Sequence, residues 1–286
     1  MRHFILLLLT AAAVQAAVAP EKLEAIRGLL REKKIAEAEA AANTLVAANP
    51  ADAEAQALLG SACAAKGDAD GAVQACEKAV QLAPADSELQ RQLGDAYGLA
   101  AQKAGMFAKM GWGKKCLGAY EKAVALAPAN LAARSSLMTI YQQAPAMMGG
   151  GIDKAYGQAA AIKELDVTRG HIAYATLYAH EKKFAEAFVE LEDVLKTSPD
   201  NYAALYQFGR LTALSGERID RGREVLTKCL ALPPPPDTPG HDAAQWRLGN
   251  LWEKKGDKPA ARAAYEAALA INPNFQQAID ALKKLE

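Results

Sequence analysis

The stretch LGNLWEKKGDKPAARAAYEAALAINP, residues 248–273, decides the fold. Its fixed points are Leu248-Gly249, Trp252, Ala261, Tyr265, Ala268 and Pro273. The same spacing stands upstream as Leu59-Gly60, Cys63, Ala72, Cys76, Ala79 and Pro84, with Cys in both aromatic slots, and the same template returns, with ten extra residues after Tyr97, as Leu93-Gly94, Tyr97, Cys116, Tyr120, Ala123 and Pro128. Pro50 and Pro84 lie 34 residues apart. A fixed period of this size marks a stack of like units. Units of this size cannot bury their apolar faces alone, so neighbours stack and share one core. Small residues recur in matched slots of these units: Gly60/Ala72, Gly94/Cys116, Ala175/Ala187, Gly209/Gly222 and Gly249/Ala261, with Met138/Ala155 as a departure.

In these residues the chain resembles the tetratricopeptide-repeat (TPR) family, over nearly all of the sequence from residue 20 onward. The resemblance implies an all-α, right-handed superhelical solenoid of about seven helix pairs. The units fall near 20–52, 53–86, 87–130, 131–167, 168–201, 202–241 and 242–275, and a capping helix spans 276–286. The first unit is degenerate, with Ile26 in the glycine slot and Ala42 in the aromatic slot.

Bulk composition agrees with helices and closes other routes. Lys+Arg and Asp+Glu both number 33, so the net charge is zero and there is no overall basic field for a nucleic-acid backbone or an anionic membrane. Residues 1–19, MRHFILLLLTAAAVQAAVA, have a basic start, a short apolar run and small residues after it. This is the pattern of a secretory signal peptide. Pro20 sits badly just after a cut at Ala19, so cleavage after Ala16 is preferred. The expected protein is exported, periplasmic in a two-membrane host, with no stable membrane insertion of the mature chain.

Three places break the period. Pro84 to Pro128 spans 44 residues, and Pro128 to Val167, which replaces the proline, spans 39. Both surpluses fall between the first and second helix of a unit. The first is predicted to lengthen both helices around a Gly111-Trp112-Gly113 turn. The second carries a Pro145 stop, Gly149 to Gly151, and Asp153 as a cap for the next helix. Together they predict an insertion edge of Met106, Phe107, Met110, Trp112, Met147 and Met148, either self-packed or an apolar docking patch. The third break, LPPPPDTPG at 232–240, reads as a stiff, extended connector.

Function is expected on the first helices. In the TPR family these line the concave groove, and phase carries that role onto Arg91, Gln92, Asp95, Thr139, Gln143, Tyr206, Gln207, Arg210, Trp246, Arg247, Asn250 and Lys254. The Arg210 and Arg247 pair, Lys254, Asn250 and two aromatic rings suit a peptide backbone and a carboxylate. The spacing of the family's carboxylate clamp is not reproduced. Cys63, Cys76, Cys116 and Cys229 fall at core slots and read as buried free thiols. His171, His180 and His241 have no zinc-ligand spacing. No catalytic residues, metal or cofactor are implied. The expected function is a non-enzymatic exported scaffold that binds an unidentified protein or peptide, for example during assembly of an envelope complex; a small-molecule or metal-binding module, or an accessory enzyme subunit working through the Met/Trp edge, is the alternative.

Overall fold

The computed structural model describes residues 18–236 and 238–285; most of the predicted signal peptide lies outside them. Among the described residues there are fifteen α-helices, one 3-10 turn and no strand. The chain forms two compact units, divided after Pro128. The first holds α1 (Pro20–Arg31), α2 (Ile35–Ala48), α3 (Ala53–Lys66), α4 (Ala69–Leu82), α5 (Ser87–Lys103) and α6 (Met106–Leu126). The second holds α7 (Leu131–Gln143), α8 (Ile152–Leu165), α9 (Val167–His180), α10 (Phe184–Thr197), α11 (Tyr202–Ser215), α12 (Ile219–Leu230), α13 (His241–Lys254), α14 (Lys258–Ile271) and α15 (Gln276–Leu285). Among the described residues no helix is long and apolar enough to cross a membrane.

Helix starts are written in the sequence. Asp52, Asp68, Asn130, Asp166, Asn201 and Asp257 each accept a hydrogen bond from the backbone N–H three residues on, at 2.8–3.0 Å. Such caps satisfy donors that have no partner inside the helix.

The pairs close through a glycine that admits a ring or a branched side chain. A Cβ on Gly249 would lie 2.3 Å from Tyr265, one on Gly94 2.5 Å from Tyr120, and one on Gly209 2.3 Å from Leu226. Gly60 meets the Cys76 Sγ in the same way, at 2.5 Å. The glycine therefore faces the residue one turn beyond the small partner assigned from sequence. Ala72 and Ala261 are themselves fully buried beside that contact. In the first pair the volumes are exchanged: Ile26 and Ala42 are both buried, so bulk in the glycine slot is matched by an alanine in the aromatic slot.

Three sequence expectations need correction. The α5–α6 turn is at Ala104-Gly105, and Gly111-Trp112-Gly113 lies inside α6. Helix persists there because the Trp112 ring packs on Tyr97, centroids 5.7 Å apart, giving this glycine-rich turn a tertiary anchor. α5 and α6 are 17 and 21 residues long against 14 for α3 and for α4, so the surplus is all helix. Second, Gly151, at φ 136°, occupies the N-cap of α8, and Asp153 sits inside the first turn with no capping bond. Third, the proline connector folds back on itself: His241 Nε2 donates to the Leu232 carbonyl at 2.8 Å, and Tyr202 donates to the Pro239 carbonyl at 2.7 Å.

The α8–α9 junction is the tightest. Asp166 alone separates the helices, ending one and capping the other. Gly170 makes room for it, since a Cβ there would lie 2.4 Å from the Lys163 Cα.

Candidate functional site

The groove residues taken from repeat phase fall into three separate settings. On α5 the charges are already engaged with one another. Arg91 donates to both Glu88 oxygens, at 2.9 and 2.5 Å, and to Asp95 at 2.6 Å. Hydrogen bonding to Glu88 raises its pKa further. Gln92 also donates to Glu88, at 3.1 Å. Asp95 accepts from the Tyr120 hydroxyl at 2.6 Å, and burial holds its carboxyl above the usual carboxylate range despite Arg91. These groups form an internal network, in which the buried Gln92 Oε1 is left without a hydrogen-bond partner. On α7, Thr139 donates to its own helix at the Ser135 carbonyl and Gln143 is exposed.

The second unit brings more of the expected groove together. Gln207 and Arg210 on α11, with Thr176 on α9, line a shallow surface depression together with Ala175, Ala179, Leu191 and Leu211. Arg210 Nε donates to the Gln207 side-chain oxygen at 2.6 Å. Its guanidinium pKa is depressed, first by burial and then by the charge of Arg247 on α13. Arg247 stacks over the Trp246 ring, 4.1 Å from its centroid, and its buried Nε has no hydrogen-bond partner. No described carboxylate lies within the 4.0 Å ion-pair distance of either arginine. By contrast, Arg221 pairs with Glu192 and Glu224, and Arg223 with Asp220. An arginine cannot shed its charge at neutral pH. Two neighbouring guanidiniums without an internal counter-ion therefore form a positive spot that an anionic group would relieve.

Of the other expected members, Trp246 lies under Arg247 and Tyr206 next to Arg210, while Asn250 and Lys254 are placed by other contacts. Tyr206 is buried in the core. Trp246 meets Phe275 edge-on at 5.9 Å. Asn250 donates to the Tyr265 hydroxyl at 2.9 Å, and Lys254 is exposed near Gly216. Sequence reasoning missed Thr176, although it stands 34 residues before Arg210 and so in the same repeat phase. It also missed a shelf of half-buried rings, Tyr156, Tyr174 and Tyr178, with centroids 5.8–6.1 Å apart. Tyr174 and Tyr178, one turn apart on a first helix, were a visible signal. Of the residues expected at an insertion edge, Met106, Phe107 and Met110 of the first unit and Met147 of the second are exposed, while Trp112 and Met148 are half-buried.

All four cysteines are free and buried. Burial pushes the Cys76 thiol up to about 12 and those of Cys116 and Cys229 to about 11. Among the described residues no cluster of three His, Cys, Asp or Glu side chains could hold a metal ion.

The model of the tetratricopeptide-repeat family matches residues 23–87 and 211–275. Both segments are similar to tetratricopeptide repeats. Solved structures extend the likeness of fold over the chain. A TPR protein from Parabacteroides merdae aligns with a TM-score of 0.63 at 15% identity, covering 93% of this chain and 98% of that one. Yeast Tom70 aligns at 0.67 and 16% identity, over 99% of this chain and 59% of its own. A thermophilic TPR protein of Thermus thermophilus gives 0.57 at 19% identity, over 68% of this chain and 97% of that one. Among curated proteins, the pre-mRNA-splicing factor CLF1 of Pyricularia oryzae is 34% identical over 88 residues, 29% of this chain. The chain spans only 13% of the length of that relative. The all-helical fold is thus that of TPR solenoids, a scaffold consistent with protein or peptide binding; nothing in the comparisons points to catalysis.

Proposed function

We propose that the protein is an exported, non-enzymatic scaffold that holds a protein segment on the α9, α11 and α13 face, anchoring an acidic or C-terminal carboxylate of that segment between Arg210 and Arg247. The observation that carries this reading is the pair of adjacent arginines without a carboxylate partner. Gln207 and Thr176 beside them supply amide and hydroxyl groups for a peptide backbone. Export is supported by the signal-like residues 1–19. Val18 adds to this: it is 8% exposed and packs with Leu23 and Ile26, so a cut after Ala16 retains a core residue that a cut after Ala19 would remove. An envelope complex is the assembly such a scaffold would serve.

The test is site-specific photocrosslinking from position 207 in intact cells, followed by mass spectrometry. A discrete crosslinked protein should be captured, and Arg210→Ala with Arg247→Ala should abolish the capture while the helical content is unchanged. Capture that survives the double substitution, or that depends instead on Met106, Phe107 and Trp112, would falsify this location.

A further inference from the structure

Between Asp95 and Glu121 the sequence has four lysines, Lys103, Lys109, Lys114 and Lys115, and no carboxylate. The neutral total conceals this. The fold places them at and just below the apex of the α5–α6 hairpin, which outreaches a 14-residue pair by one to two turns, about 5–10 Å. Every residue from Gly105 to Gly111 is exposed. At the start of α6, Phe107 is 94% exposed, Met106 81% and Met110 46%. A phenyl and two thioethers in adjacent turns form an apolar cluster with no cover. Lys109 and Lys114 have no carboxylate within ion-pair distance among the described residues. Lys103 donates to the Gly67 carbonyl. Lys115 lies over the Trp112 ring at 4.6 Å, with Glu77 at 3.8 Å.

The geometry discriminates between occupants. A Cβ on Gly105 or Gly111 would meet no atom within 4 Å, so the apex is open at both positions. Along the α6 axis Met106 and Phe107 lead, Lys109 and Met110 follow about 3–5 Å behind Phe107, and Lys114 and Lys115 about 10–12 Å behind it. An anionic bilayer carries the complementary layers, apolar within and negative at a headgroup surface of similar depth. We propose that the α5–α6 apex docks peripherally on anionic phospholipid, with Met106, Phe107 and Met110 at the headgroup–acyl boundary and the lysines on lipid phosphates.

The protein, purified as its host processes it, would be co-sedimented with vesicles of equimolar phosphatidylglycerol and phosphatidylcholine, and with phosphatidylcholine alone. Partitioning should be at least about tenfold stronger on the anionic vesicles and should fall in high salt. Met106→Ser with Phe107→Asp, and separately Lys109→Glu with Lys114→Glu, should each lower it about tenfold or more. These side chains are exposed, so melting curves should not move and misfolding would be visible. A protein that ignores anionic vesicles, that binds both compositions equally, or that binds unchanged in either variant overturns the proposal. Capture of an acidic protein by this apex, with no vesicle binding, would overturn it in favour of a protein partner.

Discussion

Gly94→Ala is the sharpest test of how the helix pairs close. The new methyl would sit 2.5 Å from Tyr120 Cε1 and 2.6 Å from Cδ1. Carbon atoms rest near 3.5 Å, so the ring must retreat by about 1 Å. It is poorly placed to do so, being 8% exposed and tied through its hydroxyl to Asp95 at 2.6 Å. Overpacking costs about 1–3 kcal/mol, and stretching a hydrogen bond to a carboxylate adds roughly 1–2 kcal/mol. Better helix propensity returns about 0.5–1 kcal/mol. The net loss by these terms is about 1–4 kcal/mol. Gly118→Ala is the matched control, in the facing helix of the same hairpin, where a Cβ meets nothing within 4 Å; it should gain about 0.5–1 kcal/mol. Stacked pairs can unfold piecemeal, so urea melts followed by circular dichroism should be paired with hydrogen exchange of the α5 and α6 amides. Equal midpoints for the two variants, or a Gly118→Ala loss as large as that of Gly94→Ala, would refute the contact.

The remaining predictions concern buried polar groups and caps. At pH 8, a Cys76 thiol at about 12 instead of 9.0 has about a thousandfold less thiolate, so iodoacetamide should leave it intact until the chain unfolds. The folded thiol also keeps its proton to higher pH than the unfolded one; stability is full below pH 9 and should fall as pH rises toward 12, visible as a declining Tm. Thr212→Val should raise stability by about 1 kcal/mol, because the Thr212 hydroxyl is fully buried without a partner; a lower urea midpoint would show that the hydroxyl is satisfied. Asn201→Ala should cost about 1 kcal/mol through loss of the α11 cap, and a Gly or Ser replacement should recover part of that loss.

The pairing of helices was legible because it depends on volumes that recur at fixed spacing. The recurring Gly249, Ala261 and Tyr265 slots marked the hairpin, although spacing put Ala261 and not Tyr265 opposite the glycine. The features that escaped depend on partners that spacing does not encode. Gly111-Trp112-Gly113 has the composition of a turn, yet the Trp112 ring on Tyr97 keeps it helical. Arg91 and Arg210 hold the same kind of groove position in phase, but Glu88 and Asp95 occupy the first while the second faces Arg247. Tyr206 lies one position from the depression and turns into the core. The zero net charge of the whole chain hid the carboxylate-free α5–α6 apex, because a sum over the chain carries no positions.

The single-residue link at Asp166 has a mechanical consequence. With no slack between α8 and α9 and with Gly170 seated against Lys163, the two helices share one pivot and must turn together. A ligand that displaces Thr176 on α9 would therefore move α8 and, at its far end, the glycine loop before Ile152. Lengthening that link by even one residue should uncouple the two ends of this lever while leaving each helix intact.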